Sequence, residues 1–298
     1  LPQSLIIGFE DTEEGRDAVA LGAQLAEALE ARPLLARAIA LPGGLLSVEE
    51  LKAALKVAAA AELEEPLERL AELDPEAAAV SGGSAARALH DLAEEREAIA
   101  AVVGSSDRGP VGRVLPGSTA ERLLHGAPCA IAVAARGCAE QGLRLLRVGV
   151  ACDGSPEATL ALGAAVTITR RCNSTLTLLT VAQTVSLAYT PAAVAAMPLS
   201  DLQAGEKQRM REQLDRSLDQ VPGDLLAHGR LLQGVPGAAL VEVSEDFDLI
   251  LVGSRGYGPL RRTLLGSTSR HLFNSARCSV MAMPRGIDPD LFGSSPSS

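Results

Sequence analysis

Leu251-Val252-Gly253-Ser254-Arg255-Gly256-Tyr257-Gly258-Pro259, followed by Gly266-Ser267-Thr268, has a second version earlier in the same chain. There Val102-Val103-Gly104-Ser105-Ser106-Asp107-Arg108-Gly109-Pro110 leads to Gly117-Ser118-Thr119 with identical internal spacing. Cys129 and Cys278 fall in the same register, and each version ends in a short apolar run, Ala130 to Ala135 and Ser279 to Met283. A repeat of this size is a duplicated domain, not a solenoid of roughly 20–50-residue units. The join falls near Gly137 to Gly142, which divides the chain into domains 1–140 and 141–286. Residues 287–298, rich in Pro, Gly and Ser, read as a flexible tail.

Outward from the repeated loop, each copy alternates strand-like and helix-like text. Copy one offers strands at Leu5 to Phe9, Leu34 to Ala40, Ala77 to Val80, Ile99 to Val103 and Ala130 to Ala135. Its helices include one with Ala18, Leu21, Leu25 and Leu29 at helical spacing, and a long stretch from Val48 to Leu73. Ser84 is placed to cap a helix over Ala85 to Arg96. Copy two offers strands at Arg147 to Ala151, Thr175 to Val181, Leu225 to Leu232, Leu249 to Val252 and Val280 to Met283, with helices starting at Pro156, Pro236 and Ser267 and one through Leu202 to Leu218. Such alternation implies right-handed crossovers, hence an α/β fold with parallel sheets flanked by helices. Ligands of such sheets bind beyond the carboxyl ends of the strands, which is where both glycine loops fall.

Composition narrows the function. Of 298 residues, 47% are hydrophobic but only 2% aromatic, with no Trp, which weakens readings that rest on stacking platforms for single-stranded nucleic acid. A net charge of −10 argues against a general phosphate-backbone binder. No run reaches the roughly 18–20 apolar residues of a membrane span. Leu1 to Ser4 lacks the basic start of a secretory leader, and five Cys form no CxxC. These features lead to the expectation of a cytoplasmic protein with reduced thiols. His90, His125, His228 and His271 each stand alone in the sequence, so no metal is assigned.

The chemistry concentrates in the loop. Gly253 ends a buried strand, where a missing Cβ lets a ligand approach the backbone. Gly256 can adopt positive φ and fold the loop into a cradle of N–H groups. Gly266-Ser267-Thr268 opens a helix whose unpaired N–H groups and positive end suit phosphate. Arg255, Arg261 and Arg262 add positive charge beside it, and Asp153 leaves the sheet at the end of the first strand. Each glycine alone has an ordinary geometric explanation; the complete repeated spacing is what points to phosphate. There is no Gly-Lys-Ser/Thr, and no Gly-x-Gly-x-x-Gly follows either first strand, so P-loop and dinucleotide readings fail.

Gly253-x-x-Gly256, nine residues, then Gly266-Ser267, preceded by Asp248 to Val252, resembles the ATP-binding signature of the universal stress proteins. Val148 to Ser155 resembles their first strand and turn. The resemblance covers nearly the whole chain as two copies. It implies two tandem five-stranded parallel sheets of order 3-2-1-4-5, Rossmann-like and related to the adenine nucleotide alpha hydrolases. It also implies pairing of the last strands, here within one chain as a pseudo-dimer, and leaves a homodimer open. By the same resemblance Cys152 and Asp153 lie by adenine and ribose, and Val181 gives backbone contacts to adenine. Gly253, Gly256, Gly266, Ser267 and Thr268 would hold ribose and phosphates, with Arg255 beside them. With so few aromatics, adenine should rest on backbone groups and small aliphatic walls.

Copy one departs from the pattern. Asp107 replaces the second glycine, putting a carboxylate near the phosphate cradle. The first turn reads Gly8-Phe9-Glu10-Asp11-Thr12, so either Glu10 or Asp11 could stand where Asp153 stands. The expected outcome is one competent ATP site in copy two and a weakened site in copy one. The candidates for the weakened site are Glu10, Asp11, Ile39, Gly104, Asp107, Gly117, Ser118 and Thr119. The leading reading is a nucleotide-dependent stress-response regulator with no catalytic constellation. The alternatives are slow ATP hydrolysis, with Mg²⁺ or water held at Asp153, and a nucleotide-free scaffold; the protein partner is not legible.

Overall fold

The computed structural model describes residues 3–40, 53, 57, 60–108, 110–126, 128–183, 199–254, 266–284 and 292. Copy one contributes β1 (Ser4–Gly8), α1 (Glu13–Ala28), β2 (Arg32–Ala40), α2 (Glu64–Arg69), β3 (Glu76–Gly82), α3 (Ala85–Glu95), β4 (Ala100–Val103), α4 (Ser118–Leu124) and β5 (Ala130–Val133). Copy two contributes β6 (Arg147–Ala151), α5 (Pro156–Cys172), β7 (Thr175–Ala182), α6 (Leu199–Leu218), β8 (Ala227–Gln233), α7 (Pro236–Glu242), β9 (Leu249–Gly253), α8 (Ser267–Ser275) and β10 (Ser279–Met283). Part of the long helix expected from Val48 to Leu73 lies outside the described residues. Its end is α2 and a 3₁₀ turn at Ala71–Leu73, stopped by Asp74 at φ 51°.

The strands form one continuous sheet in the order β3-β2-β1-β4-β5-β10-β9-β6-β7-β8. The two expected five-stranded halves are thus joined edge to edge through their last strands. Each half keeps the order 3-2-1-4-5, but β5 and β10 pair antiparallel, with Val133 opposite Val280 and Ile131 opposite Ala282. All other pairings are parallel. Both last strands are buried along their whole length. An apolar strand cannot be left as an open edge with unpaired N–H and C=O groups, so each satisfies the other. The outer edges are of a different kind: β8 carries exposed residues, and its Arg230 pairs with Asp246 at 2.6 Å.

The central strands are apolar on both faces because helices cover both. Leu5, Ile6, Ile7, Val102, Val150, Ile250, Leu251 and Val280 are essentially inaccessible and belong to one core shared by both halves. α1 and α5 pack against each other across the junction, where Arg171 pairs with Glu30. Helix starts follow the sequence closely: Thr12, Ser84 and Ser155 each accept a bond from a backbone N–H three residues on, at 3.1–3.2 Å. α5 stops at Asn173 in the left-handed region (φ 52°). Asp17, buried in α1, accepts from the N–H groups of Gly137 (2.7 Å) and Ala139 (2.8 Å) and so pins the connection between copies. Among the described residues no helix is long and apolar enough to cross a membrane.

Candidate functional site

Each half opens a cavity at the carboxyl ends of its strands, beside the point where the strand order reverses. In copy two the cavity measures about 200 Å³. Asp153 and Cys152 enter it from the end of β6, Val181 from β7, Gly253 from β9, and Gly266 and Thr268 from the start of α8. Met210 and Glu206 of α6 and Pro236 and Leu240 of α7 complete the wall. The described lining contains no aromatic ring. Five of the residues singled out from sequence for this site, besides Cys152, therefore converge on one space. Ser267 does not: its side chain is exposed beside Arg270, because Gly266 is the cap residue and Ser267 already lies inside the first turn. Arg255 and Gly256, with Arg261 and Arg262, lie outside the described residues.

Local chemistry sets each group. Gly154 takes φ +79°, which turns the chain from the strand into Ser155, the cap of α5. Asp153 Oδ1 accepts from the backbone N–H of Ser155 at 3.0 Å and from its hydroxyl at 2.5 Å, so the carboxylate is oriented by its own turn. The Cys152 thiol is buried, and desolvation raises its pKa to about 12; it is a neutral wall, not a nucleophile. The Thr180 hydroxyl donates to Cys152 O at 2.9 Å and locks β7 to the end of β6. Gly253 answers a different demand from the one its position suggested. A Cβ there would come within 2.8 Å of Glu157 in the first turn of α5. Gly104 is filled the same way by Glu14 O, at 2.2 Å. Both glycines admit the neighbouring helix and also stand on the cavity wall.

The copy-one cavity is larger, about 710 Å³, and is lined by Glu10, Gly104, Asp107, Gly117, Ser118 and Thr119. Asp11 and Ile39 are not on its wall. The reason is register. β1 and β6 start their ladders on equivalent residues, Ser4 opposite Arg32 and Arg147 opposite Thr175. With Thr12 and Ser155 as the matching caps, Glu10 is the counterpart of Asp153, and Ala38, not Ile39, is the counterpart of Val181. A one-residue slip in a strand turns the side chain to the other face. Arg37 beside Ala38 draws Glu10 into an ion pair at 3.1 Å. The Asp107 carboxylate accepts from Ser106 Oγ at 3.3 Å and, among the described residues, has no ion pair with Arg108 or Arg113. The loop itself is tied down: Ser106 N–H donates to Leu115 O (2.6 Å), Gly112 N–H to Arg136 O (2.7 Å) and Val114 N–H to Ala276 O of the other copy (2.8 Å).

Comparison with known proteins agrees with this architecture. The universal stress protein family model matches residues 3–135 and, a second time, residues 145–284. The chain belongs to the universal stress protein family. It is 29% identical over 213 residues to universal stress protein Rv2319c of Mycobacterium tuberculosis, covering 67% of this chain and 69% of that one. It is 30% identical over 195 residues to universal stress protein Mb2028c of Mycobacterium bovis, covering 64% and 63%. A universal stress protein structure from Archaeoglobus fulgidus superposes with a TM-score of 0.68 at 18% identity, covering 95% of this chain and 98% of that one. A Pseudomonas aeruginosa structure gives 0.64 at 14% identity, covering 98% and 95%. At such identities the two structures speak for the fold alone.

This universal stress protein also holds a device that its sequence displayed without explaining. The serine after each repeated glycine is buried, and its hydroxyl donates to the carbonyl closing the last strand. Ser105 Oγ reaches Ala134 O at 2.7 Å, and Ser254 Oγ reaches Met283 O at 3.0 Å. The two bonds are duplicates, and both fix the strand end from which the loop departs. Ser269 Oγ adds a bond to Gly253 O at 2.9 Å, whereas copy one has Ala120 at the matching position. Glu206 and Met210 were not anticipated, because α6 reaches the cavity only through the tertiary fold.

Proposed function

We propose that this protein is a nucleotide-responsive regulator that binds an adenine nucleotide, ATP in the first instance, in the copy-two cavity. What supports the reading most is the convergence of Asp153, Val181, Gly253, Gly266 and Thr268 on one cavity at the switch point. The cavity fits the group in kind. Leu179, Val181, Met210, Leu240 and Val252 offer aliphatic walls for a base, and Asp153 is an oriented acceptor for ribose hydroxyls. Gly266 at the start of α8 leads to unpaired N–H groups at the positive helix end, suited to phosphate. About 200 Å³ is below the roughly 300–1,000 Å³ of a whole-ligand pocket, so this cavity accounts for base and ribose. The phosphates then extend toward the start of α8, where Mg²⁺ would accompany them; Arg255 and Gly256 are assigned to them from the sequence motif alone. Copy one is the weaker site: Arg37 and Arg136 pair with Glu10 and Glu14, but Asp107 and Glu121 also line the cavity, with Arg108 the one arginine among its described lining, and this acidic wall disfavours polyphosphate.

Calorimetric titration with ATP tests this. One site is expected, and Asp153→Ala should weaken it roughly 10–100-fold, the loss of a hydrogen bond to a charged group. Glu10→Ala, the matching change in copy one, should leave it unaltered. Two equal sites, or equal effects of the two substitutions, would defeat the reading.

A further inference from the structure

We propose that His90, Asp91 and Glu94, in the last two turns of α3, form a binding site for a borderline divalent metal, with Zn²⁺ the fitting occupant. None of the three lines either cavity. His90 Nε2 lies 3.0 Å from Gly126 O, in the turn after α4. A carbonyl only accepts, so Nε2 carries a proton, and a ring protonated there alone offers its Nδ1 lone pair to a cation. That Nδ1 is buried and has no hydrogen-bond partner. It faces acceptors: Asp91 Oδ1 at 3.4 Å and Glu94 Oε2 at 3.8 Å. A buried lone pair flanked by two carboxylates is unfavourable unless a cation, a proton or a metal ion, stands between them.

The three ligand atoms lie within 4.8 Å of one another. A tetrahedral Zn²⁺ with bonds of about 2.0–2.2 Å needs ligands about 3.3 Å apart, which small rotations of two surface carboxylates supply. The bond to Gly126 is the outer contact that fixes ring and tautomer in metal-ligating histidines. Asp91 and Glu94 side chains are 50% and 60% exposed, so an ion can enter and water can fill the fourth position. An imidazole nitrogen selects Zn²⁺, Ni²⁺ or Cu²⁺ over Mg²⁺ and Ca²⁺. The carboxyl end of a helix favours a cation as well. Sequence reading missed the site because it sought histidine pairs, and here one histidine is completed by carboxylates one and four residues on. Arg87 competes for it: its Nε lies 2.9 Å from Asp91 Oδ1.

Zn²⁺ is titrated calorimetrically into chelator-treated full-length protein, with ¹⁵N NMR of the histidine rings alongside. One site is expected, with His90 Nδ1 moving and the other three rings still. Glu94→Gln, at an exposed position, should cost at least about 10-fold in affinity, and His90→Ala should abolish the site. Arg87→Ala should tighten binding by freeing Asp91, a gain that no loss of folding could mimic. Absence of binding, or binding unchanged in Glu94→Gln and His90→Ala, overturns the site. So does a His90 Nδ1 that responds to acid but not to Zn²⁺, which would make a proton the only partner.

Discussion

Asp17 shows how one buried side chain can hold two domains in order. It is 1% exposed, and both carboxylate oxygens are spent on N–H groups of the connection between the copies. Asp17→Ala leaves those two part-buried donors without their carboxylate partner. Urea unfolding should register a loss of about 1–3 kcal/mol per donor left unsatisfied; a change within experimental error would mean the connection is held by its other contacts. The cysteines allow a second prediction at this scale. Burial pushes Cys129 and Cys152 up to about 12 and Cys278 higher still, whereas Cys172 is half-exposed and raised to about 11. Cys138 is buried and raised in the same way, so a thiol reagent at pH 8 should label Cys172 first and reach the other four only on unfolding, as peptide mapping would reveal. Burial at this level was legible from apolar flanking text. The side toward which Gly253 and Gly104 present their missing Cβ was not, since it depends on a helix that the chain forms before reaching them.

Elements were the most legible level. Arg147–Ala151 and the starts at Ala85, Pro156, Pro236 and Ser267 fall where hydrophobic periodicity, caps and prolines place them. Register was less accessible, as Ile39 and Asp11 show: nothing local says which residue of a strand faces the cavity until its neighbour is known. The β2–β3 edge has its own electrostatic clamp. Glu76 on β3 meets Arg32 of β2 and, at 2.8 Å, Arg96 at the end of α3. The hydrogen bond from Arg96, helped by the charges of Arg32 and Arg96, holds the Glu76 carboxyl below its ordinary 4.5 although desolvation pulls the other way. A depressed folded pKa means the clamp acts in full above 4.5 and is lost as pH falls through the lower folded value. Stability should therefore drop more steeply below pH 4.5 in the parent protein than in Glu76→Gln, which has no carboxyl to titrate. Urea midpoints measured across that range would test it; parallel pH profiles would remove Glu76 from the account.

The whole molecule is joined at one seam, and the seam sets its cooperativity. β10 lies between β9 and β5, so both of its edges are occupied, and its five residues are all buried. The core around it runs without a break from Leu5 in the first strand to Met283 in the last. Two copies with separate cores would melt separately; two copies sharing a sheet and a core should melt together. Calorimetry should show one transition, with the calorimetric and van't Hoff enthalpies equal. Met281→Pro sharpens the test. Met281 stands opposite Ala132 of copy one and Leu251 of copy two. Whichever neighbour its N–H serves, proline deletes that bond and leaves a buried carbonyl unpaired, at a cost of about 1–3 kcal/mol before any distortion is added. In a single cooperative unit, amide exchange should quicken in β1 and β4 of copy one as much as in β6 and β9 of copy two. If exchange quickens in copy two alone while copy one keeps its protection, the copies fold independently and the continuous sheet is a docking of two finished domains.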